Sequence, residues 1–139
     1  DLAPMEARKS RSYIKTPDEV LDNLHLGDEL EGGILYNTYC ASCHQRDGKG
    51  DSNRFPPLAG SDWVTGDEGR LIGIVLNGLE GEIKVNGKTY SGLMPSANHL
   101  DDHAIASVLT YIRINFGNNA TPLNALQIRK VRTGSIKQK

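Results

Sequence analysis

The sequence predicts an all-α fold with one small β-hairpin, and three observations carry that prediction. Apolar residues recur at helical spacing in Ile105, Val108, Leu109, Ile112 and Phe116, which occupy one face of a helix at i, i+3, i+4, i+7 and i+11. Capping patterns stand before apolar or amphipathic runs, as in Thr16-Pro17-Asp18-Glu19 and Thr65-Gly66-Asp67-Glu68; in each, a hydroxyl and a carboxylate three residues apart can satisfy free backbone N–H groups. A strand-like hairpin pattern appears once, in Ile83-Lys84-Val85-Asn86-Gly87-Lys88-Thr89-Tyr90, where Asn-Gly supplies the positive φ angles of a two-residue turn.

Taken in order, Thr16 caps a short helix with Pro17 at its first position, running to about Leu24 and closing near Gly27. Asp28 or Glu29 opens a second helix that runs into Cys40. Asp47 to Pro57 is rich in Gly, Asp, Asn and Pro and reads as a loop. Thr65 starts the helix that carries Leu71 to Asn77 and ends at Gly78. The hairpin follows, then a tight Gly92-Leu93-Met94-Pro95 loop. Asp101 or Asp102 caps the strongest helix, which Gly117 ends. Thr121-Pro122 opens a last short helix toward Arg132, with Gly134 beyond it.

A chain of 139 residues builds one compact domain. The expected division is an N-terminal extension over 1–27, a central domain over 28–117 and a basic C-terminal extension over 118–139. Apolar residues make up 37% of the chain and aromatics 6%, so a large apolar group at the centre would help to complete the core. A net charge of −1 gives none of the basic excess that nucleic-acid binding needs. No run approaches the ~20 apolar residues of a membrane helix. The opening DLAPMEARKS begins with Asp1 and has no apolar signal core, and a processed mature chain or an excised domain is expected.

Charge is distributed unevenly. Asp18, Glu19, Asp22, Asp28, Glu29 and Glu31 crowd the first 31 residues, whereas no acidic residue follows Asp102. Arg113, Arg129, Lys130, Arg132, Lys137 and Lys139 leave that end basic. A solvated tail helix is the plain reading. Self-packing against the acidic N-terminal region is favoured over docking to an acidic partner, because Leu123, Leu126 and Val131 give the last helix an apolar side.

The chemistry concentrates at Cys40-Ala41-Ser42-Cys43-His44. Two thiols one helical turn apart can both add to the vinyl groups along one edge of a porphyrin, and the next residue places an imidazole under the iron. Three readings compete with this one. A redox Cys-x-x-Cys needs a preceding strand, but a helix is expected here. A zinc site needs two more ligands at paired spacing, which the scattered His25, His99 and His103 do not supply. Chance occurrence is the third.

Met94 lies 50 residues after His44. A thioether is a soft ligand suited to haem iron, and His/Met ligation raises the reduction potential. A lone methionine is ordinarily a core gap-filler. Met94 is one of only two here, the other being Met5 in a polar stretch, and Pro95 fixes the backbone behind it. His99 and His103 are the rival sixth ligands, both better read as exposed residues at a helix start.

These residues, with Gly32 and Tyr36 before Cys40, Phe55-Pro56-Pro57-Leu58-Ala59-Gly60 after His44, and Leu109-Thr110-Tyr111-Ile112 beyond Met94-Pro95, together resemble the class I cytochromes c over about residues 28–117. The resemblance implies helices wrapped around one covalent haem c, bound by Cys40 and Cys43 and ligated by His44 and Met94. It implies that Gly32 and Tyr36 lie where the N-terminal helix crosses the C-terminal helix near Tyr111. It makes Pro56 (or Pro57 beside it) the acceptor for His44 Nδ1, and sets Leu58 and Leu93 against the porphyrin. Trp63 is the expected donor to a haem propionate, a core tryptophan being the alternative, with Tyr90 and Arg70 as further candidates. A narrower resemblance, in Gly60-Ser61-Asp62-Trp63-Val64-Thr65-Gly66-Asp67 and the hairpin before Gly-x-Met-Pro, is to cytochrome domains attached to bacterial quinoprotein and sugar dehydrogenases.

The function so implied is one-electron transfer between a donor dehydrogenase and an acceptor oxidase or cytochrome. The chain would not itself be an enzyme, and would work in the periplasm or on the outer face of the cytoplasmic membrane, alone or within a larger chain or complex. A haem enzyme or ligand sensor is the alternative if Met94 does not hold the iron, and a structural haem module tethering a dehydrogenase is another. Denaturing mass spectrometry of the matured protein should find the polypeptide plus one haem; the bare polypeptide mass would overturn the reading.

Overall fold

The computed structural model describes residues 27–51 and 54–134. The helix expected over Thr16 to Leu24 lies outside the described residues, as do His25, Lys137 and Lys139. Five helices and one two-stranded sheet make up the described chain: α1 (Glu29–Tyr39), α2 (Ala41–His44), α3 (Glu68–Asn77), β1 (Leu79–Val85), β2 (Lys88–Met94), α4 (Asp102–Ile114) and α5 (Ala125–Arg132).

Asp28 caps α1, its carboxylate accepting from Leu30 N at 2.9 Å and Glu31 N at 3.4 Å. Glu29 and Glu31 in the first turn complement the positive end of the helix dipole. This helix packs across α4, and Gly32 allows the close approach: a Cβ there would sit 2.0 Å from Ser107 O. One turn on, Tyr36 is fully buried. Its ring lies 5.7 Å from that of Tyr111 and 5.2 Å from that of Phe116, each such pair adding about 0.5–1.5 kcal/mol beyond its area burial.

On α4 the residues Ile105, Val108, Leu109 and Ile112 are all buried, as their spacing required. Asp101 is the cap, accepting from Ala104 N at 2.8 Å. The helix ends at Ile114, before Gly117. Phe116, expected on the helix face, lies past the end with φ +60° and reaches Tyr36 and Tyr111 from outside the helix.

Two helix starts differ from expectation. Asp67, not Thr65, caps α3, accepting from Arg70 N at 2.7 Å; the Thr65 hydroxyl is engaged in the turn before it, donating to Ser61 O at 3.1 Å. Asn124, not Thr121-Pro122, opens α5 through a capping box with Gln127, because the carbonyl and hydroxyl of Thr121 accept from Arg113 instead.

The hairpin is longer than its sequence pattern. Antiparallel pairing runs from Leu79↔Met94 to Val85↔Lys88 around Asn86-Gly87, whose φ angles of +53° and +82° suit a type I′ turn. Met94 therefore ends a strand rather than sitting in a tight loop. The tip is pinned by a reciprocal pair, Asp62 N to Asn86 Oδ1 and Asn86 N to Asp62 Oδ1, both 3.0 Å.

Leu123, Ile128 and Val131 join one apolar cluster with Leu71, Ile72, Ile105 and Leu109, so α5 completes the core shared by α3 and α4. Of the acidic stretch that could have received it, Asp18, Glu19 and Asp22 lie outside the described residues, while Asp28, Glu29 and Glu31 form the cap and first turn of α1. Arg113, only 3% exposed, crosses this core. It donates from Nε to Thr121 O (2.7 Å), from Nη1 to Val64 O (2.9 Å), and from Nη2 to Glu68 Oε2 (3.2 Å) and Thr121 Oγ1 (3.1 Å). A buried cation needs such a full set of acceptors to offset its desolvation.

Replacing Gly32 with Ala forces the α1–α4 crossing apart and should destabilise the fold by about 1–3 kcal/mol, read by thermal unfolding. An unchanged melting temperature would contradict the close approach.

Candidate haem site

The site grows from the end of α1. Cys40 caps both α1 and the short α2; Cys43 N and His44 N donate back to Cys40 O at 3.2 and 2.9 Å. One helical turn thus separates Cys40 from Cys43, and both thiols are free and partly exposed. Gln45 then turns the chain with φ +70°, and its carbonyl accepts from the buried Tyr36 hydroxyl at 2.6 Å. Tyr36 therefore fixes the exit from Cys-x-x-Cys-His as well as the helix crossing.

His44 is buried, and its Nδ1 lies 2.8 Å from Pro56 O. With Nδ1–H donating to that carbonyl, the lone pair falls on Nε2. Burial lowers the imidazole pKa, against the opposing pull of the Pro56 hydrogen bond, so the ring is held in its neutral, ligating form. Burial, and then the neighbouring Cys43, push the Cys40 thiol up to about 11.

The Pro56 segment is itself strapped down. Leu58 N and Ala59 N both donate to Gly48 O, at 2.6 and 2.9 Å. Asn118 bridges the strap to α4: Gly60 N donates to its Oδ1 at 2.8 Å, while its Nδ2 donates to Leu58 O at 3.0 Å and Ile112 O at 2.9 Å. Neither Asn118 nor Arg113 stands out in the sequence, where one reads as turn chemistry and the other as a surface cation.

Cys40, Ala41, Leu58 and Met94 all pack, partly buried, against the same apolar cluster. Strand alternation puts Leu93 on the opposite face from Met94, and Leu93 is 67% exposed. The rival histidines are engaged elsewhere: the His99 ring meets Tyr39 at 5.3 Å, and His103 Nε2 lies 3.4 Å from Glu31 Oε1.

Trp63 sits beside the hairpin. Its indole N–H donates to Lys84 O at 2.6 Å, so the donor is committed to the hairpin. Arg70 stacks on the indole at 3.9 Å, and its Nε is buried with no hydrogen-bond partner. Tyr90 is buried in β2, with the Lys88 ammonium 5.4 Å from its ring centre.

Two unbonded thiols, a neutral imidazole with one nitrogen committed and an apolar lining make a donor set that fits a covalently bound porphyrin. Among the described residues no three His, Cys, Asp or Glu side chains gather as a metal site, and no helix is long and apolar enough to cross a membrane.

Comparison with known proteins agrees with the donor set. Residues 27–112 match the family described as cytochrome C oxidase, cbb3-type, subunit III, and the chain belongs to this family of c-type cytochromes. Cytochrome c-552 of Thermus thermophilus is 37% identical over 117 residues, covering 78% of this chain and 88% of the relative. The cytochrome c subunit of the quinone alcohol dehydrogenase of Gluconobacter oxydans is 32% identical, covering 92% of this chain. The fructose dehydrogenase cytochrome subunit of Gluconobacter japonicus is 31% identical, covering 91%. The chain spans only 30% and 27% of those two relatives' lengths. Membership makes this a haem c protein of electron transport, with covalently bound haem c and iron.

Asn118→Ala leaves the Gly60 amide without its acceptor and should cost about 1–3 kcal/mol. Hydrogen exchange should quicken at Gly60; unchanged protection there would mean that the strap is held without Asn118.

Proposed function

We propose that this chain is a one-electron carrier whose haem is bonded through Cys40 and Cys43 and ligated by His44 and Met94. The observation that supports it most directly is the 2.8 Å contact of His44 Nδ1 with Pro56 O, which commits one ring nitrogen and leaves the other for iron. Haem c, when bound, supplies a one-electron couple at its iron. The chain's own residues do the rest. The paired thiols anchor the group, and the strap from Pro56 to Gly60 keeps the imidazole oriented. Leu58 offers apolar surface to the macrocycle, with the helices wrapped around it, and Met94 fills the sixth position so that no open coordination site invites substrate; Leu93, on the other strand face, does not share that role. Trp63, Tyr90 and Arg70 are the candidates to hold the haem propionates.

The dehydrogenase relatives support a dehydrogenase as electron donor and a respiratory oxidase or cytochrome as acceptor, through a small transient interface. Covalent haem attachment favours the periplasm or the outer face of the cytoplasmic membrane.

The ferric protein should show the weak near-infrared band of sulfur-to-iron charge transfer. Met94→Ala should abolish it, lower the potential and open the iron to cyanide. An unchanged spectrum and potential in that variant would exclude Met94 and favour a haem enzyme or sensor with a different sixth position.

A further inference from the structure

The segment from Pro95 to Asp101 connects Met94 to α4 without helix or strand. Its first half is gripped by the end of α3: the Ser96 hydroxyl donates to Leu76 O at 2.5 Å and Ala97 N to Val75 O at 2.8 Å. Gly78 permits this, since a Cβ there would lie 2.6 Å from Met94 O. The second half is gripped from elsewhere. Arg132, in the last turn of α5, donates from Nη1 to Asn98 O at 3.1 Å and from Nη2 to Leu100 O at 2.8 Å, while its Nε holds Asp102 Oδ1 at 2.8 Å. One planar guanidinium thus ties two carbonyls of the connection and the first residue of α4. A lysine ammonium, a single point charge, cannot span all three. The side chains of the Arg132–Asp102 pair are 31% and 27% exposed, so the ion pair itself is partly screened; the geometric grip on the two carbonyls is what distinguishes the site. The residues matched to the family end at 112, so Arg132 lies beyond the match while the carbonyls it holds lie within it.

We propose that Arg132 is a positioning residue for Met94: it holds the connection behind the methionine closed and so restrains the thioether from leaving the iron. The inference rests on the reading of Met94 as sixth ligand. Movement of the Met94 backbone away from the iron carries the segment from Pro95 to Asp101 with it, and that shift breaks the Arg132 contacts or carries α5 along.

Cyanide binding to the ferric holoprotein tests this, because the anion enters only when Met94 leaves. Arg132→Met and Arg132→Lys should each bind cyanide about tenfold faster than the parent, the loss expected when hydrogen bonds from a charged group go. Both should retain the near-infrared sulfur band at rest. Ile128→Ala serves as the control for general loosening of α5: it should lower the melting temperature while leaving the cyanide rate near that of the parent. Unchanged rates in both Arg132 variants, or an equal acceleration in Ile128→Ala, would overturn the clamp while leaving Met94 ligation intact. A parent protein without the sulfur band would overturn the ligand reading and the clamp with it.

Discussion

The approach of α1 to α4 at Gly32 is the constraint on which the rest of the site depends. Because the α1 backbone lies on Ser107 O, Tyr36 is carried into the space between Tyr111 and Phe116, and its hydroxyl arrives at Gln45 O. Cys40 caps the same helix. The thiols and imidazole that follow are therefore aimed by helix packing, with little left to loop chemistry. Moving α1 outward by the radius of a methyl group would displace every donor from Cys40 to His44 together.

The modest apolar content is matched by polar ties at the places where loops meet helices. Arg113 links the loop before α3, the start of α3 and the segment leading to α5; Asn118 links the strap after His44 to the end of α4. Each is buried with its donors satisfied, so each ties irregular backbone to regular structure without the cost of an orphaned group. Such ties are directional. Where an apolar contact would let a loop slide, they fix its register.

The sequence revealed what is local or periodic. The α4 face follows from its spacing, the hairpin tip from Asn-Gly, and the Cys-x-x-Cys-His geometry from one helical turn. Capping was less legible because several residues compete for each start: Thr65 and Asp67 both suit a cap, and the Ser61 turn decides between them by engaging Thr65. Hairpin length escaped because the Gly81↔Gly92 pair in its middle reads as a loop when pairing is unseen. The partner of Trp63 was illegible for a different reason. A side-chain donor 21 residues from its acceptor has no sequence signature, and the same holds for Arg113 and Arg132.

That distinction between local and distant also separates the two faces of the site. The side that presents His44 comes from one stretch of chain, Asp28 through Gly60, set by its helix crossing on α4 and by Asn118, which anchors its strap. The side that presents Met94 depends on three separate elements: the end of α3 against Ser96 and Ala97, Tyr39 against His99, and Arg132 of α5 against Asn98 and Leu100. A segment held by distant elements depends on each specific tie, whereas a helix-borne side chain moves only if the helix itself shifts. The backbone on the imidazole side is thus set by helix packing and the backbone behind Met94 by ties from three separate elements, so the C-terminal helix bears on where Met94 sits although it lies far from it in sequence.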